Sequence, residues 1–485
     1  MRNKLACALA LTGALSPLLA QAGPQQMLLL IDMLKENGTL TEIQHQQLKA
    51  AMMTEDPAPS SKQPPAQQTP PLSPSEPVDV MVSTQGGSVK AESYDGRSSF
   101  QFTAQIAADA AWYDSDITDM GNAAEIRYAR IGAEGTLFGP WEYELEIDFA
   151  GEDVDLKDAW LGYRTLGDSR FKVGLFKTPF SLEEMTSSAH QTFMERSLIN
   201  AMTPGRNVGV GFETYGGQWS LSGSIFGEGA DDGDDRLDDE GWGGSLRGTW
   251  APVATDTRVL HLGLSSTART YGGDSDGEAV FRIRTDPESH LVDSKNYLLD
   301  TNQYETKKSK YKIQHMEHTT SIGVEAAMVH GPVSLQGEFV RTYVNSEDYM
   351  ESLDFHGFYV AGSWFLTGES RNYDHTRGRF SRLTPYSNFG WGEGTGAWEM
   401  ALRYSHLDLD DQDIEGGREW NATVGINWYV NPNIRFMANY IVVNSEPDAA
   451  GEEDDPRIIQ VRGQYNFGSS LLQVGSSKSS FAPIR

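Results

Sequence analysis

The sequence predicts an all-β protein, a 16-stranded antiparallel transmembrane β-barrel with a short N-terminal helical segment. Three observations predict it. Segment after segment alternates apolar and polar side chains with a period of two, as in GAWEMALRYS, where Trp398, Met400, Leu402 and Tyr404 share one face and Glu399, Ala401, Arg403 and Ser405 the other. A period of two is the signature of a strand, whose successive side chains point to opposite faces. The apolar faces end in aromatic residues while the opposite faces carry ions, the pattern of a sheet with lipid outside and water inside. Finally, such segments number sixteen, and short and long connections alternate between them, as outer-membrane barrels require.

The strands are expected near residues 98–112, 125–137, 140–150, 156–166, 169–178, 207–215, 217–228 and 240–251, then 257–271, 319–330, 332–345, 353–367, 395–408, 416–430, 433–446 and 456–467. WEYELEIDF places Trp141, Tyr143, Leu145, Ile147 and Phe149 opposite Glu142, Glu144, Glu146 and Asp148. IIQVRGQYNF sets Ile459, Val461, Gly463, Tyr465 and Phe467 against Gln460, Arg462, Gln464 and Asn466. FGPW, LGDS, YGGQ and HGPV read as short periplasmic turns, and GEGADDGDDRLDDE as a long outer loop. Only a closed sheet pairs every backbone group in hydrocarbon, and sixteen strands enclose an aqueous channel rather than a packed core. Glu399 and Arg403 are therefore expected to face a wet lumen.

Ahead of the barrel, composition divides the chain. Arg2 and Lys4 precede an apolar run that ends in Ala20-Gln21-Ala22, the form of a secretory signal peptide over residues 1–22. The only cysteine, Cys7, lies within it, so the mature chain has neither a disulfide framework nor a cysteine metal site. Residues 23–53 read as two short amphipathic helices broken at Asn37-Gly38, with Thr39 and Glu42 as a capping box for the second. Residues 54–95 form a linker rich in Pro, Ser and Gln. The barrel follows over 96–467, and 468–485 is a tail beyond Phe467.

The formal charge is −29, which excludes nucleic acid as a general partner, because a basic surface supplies most of such affinity. Later segments fall short of the roughly 18 apolar residues that a membrane-spanning helix needs. The ten histidines are scattered and no Gly-x-Ser-x-Gly elbow or phosphate loop occurs, so no catalytic residues, metal ligands or cofactors are expected. The acidic runs DDGDDRLDDE and GEEDD read as solvated outer loops, lacking the ligand spacing of a calcium loop.

Against this acidity three connections are basic. TPFSLEEMTSSAHQTFMERSLINAMTPGRN, too long for a plain hairpin, follows Lys177 and contains Arg196 and Arg206. Between strands nine and ten lie Arg282, Arg284, Lys307, Lys308 and Lys310; the lysines of KKSKYK read equally as solvated loop charges or as ligands of lipopolysaccharide phosphates. RNYDHTRGRFSR supplies Arg371, Arg377, Arg379 and Arg382 on the side where turns should be short, and is expected to fold into the lumen. Channels select by the charges and loops at their constriction, so these residues, with Arg403, are the candidate anion contacts.

The combination of LLLIDMLKENGTLTEIQHQQL, EIRYARIGAEGTLFGPWEYELEIDF, DAWLGYRTLGDSRFKVGLFKTPFSLEEMTSSAHQTFMERSL, SWFLTGESRNYD, GAWEMALRYSHLDL and IIQVRGQYNF resembles the phosphate-selective porins O and P over most of the mature chain. The resemblance implies a homotrimer of sixteen-stranded channels with inward-folded loops and rows of Arg and Lys that guide anions. It adds Arg127 and Arg130 of RYAR, with Tyr128 standing where related segments are often basic, and it places Lys177 at the entry to the constriction loop and Arg196 within it. The family's last strand normally ends the chain on an aromatic residue; here eighteen residues follow Phe467.

The function expected from these readings is passive diffusion of small anions, phosphate or polyphosphate among them, across the outer membrane, in contact with its lipid and lipopolysaccharide. The row Glu142, Glu144, Glu146 and Asp148 favours the alternative of a nonspecific or cation-preferring porin. A surface tether built on the N-terminal helices is the other alternative.

Overall fold

A computed structural model describes residues 80–85, 88–151, 154–165, 168–227, 241–271, 281–291, 297–301, 313, 315–390, 394–446 and 453–468. The signal peptide, the N-terminal helices, the first part of the linker, Lys307, Lys308, Lys310 and the tail after Gly468 lie outside the described residues.

The barrel strands are β1 (Ser99–Asp114), β2 (Ala123–Leu137), β3 (Trp141–Asp148), β4 (Asp155–Arg164), β5 (Ser169–Lys177), β6 (Arg206–Tyr215), β7 (Trp219–Phe226) and β8 (Gly243–Ala254). They continue as β9 (Arg258–Thr270), β10 (Met316–His330), β11 (Val333–Ser346), β12 (Leu353–Phe365), β13 (Ala397–Asp411), β14 (Ile414–Tyr429), β15 (Ile434–Glu446) and β16 (Arg457–Phe467). Each pairs antiparallel with its neighbours in sequence, and β16 returns to β1 from Arg457↔Asp114 to Phe467↔Ala104, which closes the sheet. Closure leaves no lateral edge of unpaired backbone in the membrane.

The outer face is the apolar one. Leu402 is 63% exposed and its neighbour Arg403 only 4%. Aromatic rings from adjacent strands meet at two levels: Trp398, Trp428 and Phe436 stack near the periplasmic end, and Tyr404 stacks on Trp420 toward the other. These are the interfacial girdles of an outer-membrane barrel.

Two findings depart from the reading of the sequence. Strand structure begins before residue 96: Val80–Gln85 and Ser88–Ser93 form a hairpin inside the segment whose composition reads as linker. Its second strand pairs Lys90↔Gln101, Ala91↔Phe100 and Glu92↔Ser99, and Ser88 Oγ donates to the Phe102 carbonyl at 3.0 Å. Because β16 stops opposite Ala104, the first residues of β1 would otherwise present a bare edge; the hairpin covers it. The alternation of VMVS and SVKAES around Gly86-Gly87 carries this signal, but the preceding Pro-rich run dominates the composition.

The second departure is inside the barrel. Glu399 and Arg403 do not face open water; they are 1% and 4% exposed. Phe180, Phe193, Leu198, Ile199 and Met202 of the 178–205 connection, with Ile283 and Leu299 of the connection between β9 and β10, pack against Val340, Val344, Phe355, Tyr359, Ala401, Leu407 and Leu409 on the inner faces of β11–β13. Among the described residues that half of the lumen is therefore packed as a core, and a large cavity lies in the other half.

Candidate functional site in the barrel lumen

The connection between β5 and β6 folds inward because the barrel wall satisfies its backbone. Leu182–Met185 forms one helical turn. Ser181 caps it, accepting from Glu184 N at 3.1 Å, and Glu338 of β11 accepts from Leu182 N and Glu183 N at 2.9 and 2.8 Å. A carboxylate at these orphan amides satisfies donors that the short helix cannot. Glu183 accepts from Ser197 N and Oγ at 3.0 and 2.6 Å, which closes the loop on itself. On the wall, Asn427 donates to Thr192 O at 2.8 Å, Arg435 to Gln191 O at 2.6 Å and Arg462 to Met194 O at 2.6 Å. Asn439 Oδ1 accepts from Met194 N at 3.0 Å.

Opposite this segment, the connection 366–396 also enters the lumen. Arg379 donates to Met185 O at 3.1 Å and so touches the constriction segment directly. Between the two segments and the inner faces of β2–β7 lies a cavity of about 960 Å³. Among the described residues, eleven Arg and Lys side chains line it against seven Asp and Glu: Arg127, Arg130, Lys157, Arg170, Lys172, Lys177, Arg196, Arg206, Arg377, Arg379 and Arg382 against Glu134, Glu144, Glu146, Asp158, Glu213, Asp256 and Asp374. A positive lining in a chain of charge −29 requires that the acid be concentrated elsewhere.

Most acids of the wall have a basic partner. Arg130 pairs with Asp148 at 2.7 Å and lies 3.6 Å from Glu146, and Arg206 pairs with Asp158 at 2.7 Å. Glu142 is fully buried and accepts from Arg170 at 2.9 Å and from Arg164. Lys172 meets Glu213 at 2.6 Å, and Glu144 accepts from Trp160 Nε1 at 3.1 Å. In the row of carboxylates that favoured cations in the sequence, Glu142, Glu146 and Asp148 are thus offset by arginines from β2, β4, β5 and β6, while Glu144 meets a neutral indole N–H.

Of the residues singled out from the sequence, Arg127, Arg130, Lys177, Arg196, Arg206, Arg377, Arg379 and Arg382 line this cavity. Arg127 is held by both oxygens of Glu195 at 3.0 Å, while Lys177 and Arg196 each lie 3.3 Å from Glu184. Arg371 lies outside it, in a smaller cavity with His190, Arg382 and Arg435, donating to Gln336 at 2.6 Å and covering the Phe380 ring at 3.6 Å. Arg282 pairs with Asp300 and Arg284 covers Tyr297, away from the cavity. Arg403 is committed to Glu288 at 2.5 Å and to Glu195 O at 2.9 Å. Lys157, Arg170 and Lys172 were not singled out, although the alternation of β5 already put Arg170 and Lys172 on the inner face.

A family model, phosphate-selective porin O and P, matches residues 100–467. The chain belongs to that family. An uncharacterized protein of Caulobacter vibrioides is 31% identical over 365 residues, which cover 71% of this chain and 68% of that one. Porin O of Pseudomonas aeruginosa is 25% identical over 401 residues, 78% of this chain and 90% of its own. Among solved structures, the anion-selective porin from Comamonas acidovorans aligns at a TM-score of 0.46 and 11% identity, covering 76% of this chain and all of that one. This porin is accordingly a β-barrel of the bacterial outer membrane.

Two loop side chains report the potential inside the porin. Burial would raise the Glu195 carboxyl, yet Arg127 and Arg462 hold it far below the usual carboxylate range. Burial first, and then the nearby Arg379, Arg435 and Arg382, together lower the His190 imidazole to about 3. A histidine with a depressed pKa stays neutral until the pH approaches that value, so His190 adds no charge between pH 8 and pH 5. His190→Gln should leave the pH dependence of ion selectivity in that window unchanged in planar bilayers; a lost acid-induced rise in anion preference would place the positive charge on His190 instead.

Proposed function

We propose that this porin is a passive channel for small anions, with phosphate as the favoured solute. The observation that carries this reading is the excess of Arg and Lys over Asp and Glu around the lumen cavity, in a chain whose total charge is strongly negative. Guanidinium groups keep their charge at any physiological pH, and their planar fork matches phosphate oxygens. Several such groups, each already partly engaged, would replace an anion's hydration in small steps and let it leave again, the condition for conduction. The family description supplies phosphate as the solute to test first. A homotrimer is part of the proposal: β3 to β7 are only 8–10 residues long, at or below the 9–11 that a tilted spanning strand needs, and this low wall suits contact with another subunit better than lipid. The signal peptide is the proposed export route.

The deciding measurement is the zero-current potential across a salt gradient, followed by titration of phosphate into chloride. An anion-selective potential with block by phosphate supports the proposal. Cation selectivity without block would assign the channel to the acidic residues instead.

A further inference from the structure

The segment that carries Arg377 and Arg379 has little fold of its own. Its hairpin pairs Tyr373–Asp374 with Arg379–Phe380, two residues on each side, too short to hold its shape unaided. What holds it lies behind it, in the barrel wall. Arg247 on β8 and Glu325 on β10 are each 1% exposed in their side chains, and His261 on β9 is fully buried. Arg247 Nη2 lies 2.6 Å from Glu325 Oε1, and His261 Nε2 lies 3.1 Å from the same oxygen. The remaining capacity of this group is directed at the segment. Arg247 donates to Arg377 O at 3.2 Å and to Gly378 O at 2.7 Å, and His261 Nδ1 is 2.5 Å from Tyr373 Oη. Gly378 sits at φ +58°, and a Cβ there would lie 2.6 Å from Thr249 Oγ1. The segment's backbone is therefore seated directly on β8.

A buried ion pair is a poor way to gain stability, because the desolvation of both charges offsets much of their attraction. A guanidinium with five donors in a rigid fork is, however, a good way to fix two main-chain carbonyls. We propose that Arg247, oriented by Glu325, is a positioning residue for selectivity: with His261 it sets the depth of the 371–382 segment in the lumen and so places Arg377 at the cavity and the guanidinium group of Arg379 against the constriction segment. None of the three wall residues needs to touch the solute. The inference rests on the anion reading given above.

The test compares wild type, the double variant R247M/E325M and G378A in planar bilayers, by zero-current potential, phosphate block of chloride current and conductance. The double variant leaves no buried charge unpaired. G378A leaves the wall intact and lifts the segment from Thr249. Y373F keeps both contacts of Arg247 with the backbone and removes the His261 anchor alone. A several-fold fall in anion-to-cation permeability and in phosphate affinity is expected for both G378A and the double variant, with a smaller fall in the same direction for Y373F. A merely structural role would alter yield or conductance but not this ratio. Folded variants that keep wild-type selectivity and block overturn the positioning role, and if the double variant does not assemble, G378A alone decides. A wild-type channel without anion preference would sink the underlying reading instead, and with it the positioning role.

Discussion

Replacing Arg377, Arg379 and Arg382 together by glutamine is expected to abolish most of the anion preference and to weaken phosphate block by about an order of magnitude or more, since close charges in a confined polar passage act at reduced screening. The three changes reduce the cations lining the cavity from eleven to eight while its acids remain seven. The segment should keep its place, because its anchors are other groups: Arg247 and His261 hold the backbone of residues 377 and 378 and the Tyr373 hydroxyl. Glutamine also retains an amide donor for the main-chain oxygens that Arg379 and Arg382 now reach at Met185 and Pro432. The readout is the zero-current potential of wild type and triple variant in the same salt gradient. An unchanged potential would mean that the β2–β6 wall, with Arg127, Arg130, Lys172 and Arg206, governs selectivity alone.

The second large effect is expected at Arg403, which lines no part of the cavity. It joins two of the inward loops: its guanidinium meets Glu288 of one and lies 3.5 Å from Glu183 of the other. Glu288 is a non-glycine residue at φ +56°, a conformation that costs about 1–2 kcal/mol. Donors from Arg403, Ser405 and Thr423 hold it there. Arg403→Met strands two buried carboxylates, a loss of roughly 3–5 kcal/mol for a broken buried pair. The barrel itself, closed by sixteen ladders, should survive; the docking of residues 281–301 should not. Single-channel conductance is expected to rise and become noisy, and R403M/E288Q should recover part of the quiet wild-type trace. Equal conductance in wild type and R403M would show that the packed half of the lumen stands without this clamp.

These two predictions sit on different sides of what could be read from the chain alone. The strands were legible almost to their ends because each lies between two fixed media: lipid selects Trp398, Met400, Leu402 and Tyr404 for one face, and the opposite parity follows. The basic segment 371–382 was legible as an inward one, since a long charged connection has no place among short periplasmic turns. Parity could not say what stands on the inner side of each strand. Arg403 and Arg130 share the same inward face in sequence, yet one is buried against Glu288 and the other lines the cavity. The acidic row of β3 looked like a cation path because its partners Arg170 and Arg206 arrive from strands further on, 28 positions after Glu142 and 60 after Glu146.

The sequence by itself determined the barrel, its strand number, the face each residue takes and the membrane that selects those faces, because a period of two between lipid and lumen is a local property of the chain. Only the tertiary structure decided which half of the lumen is filled, which charges cancel and which arginines remain to face the passage. Those outcomes depend on pairings between residues such as Arg247 and Glu325, or Arg403 and Glu288, that lie far apart along the chain and meet only when the sheet has closed and its loops have folded in.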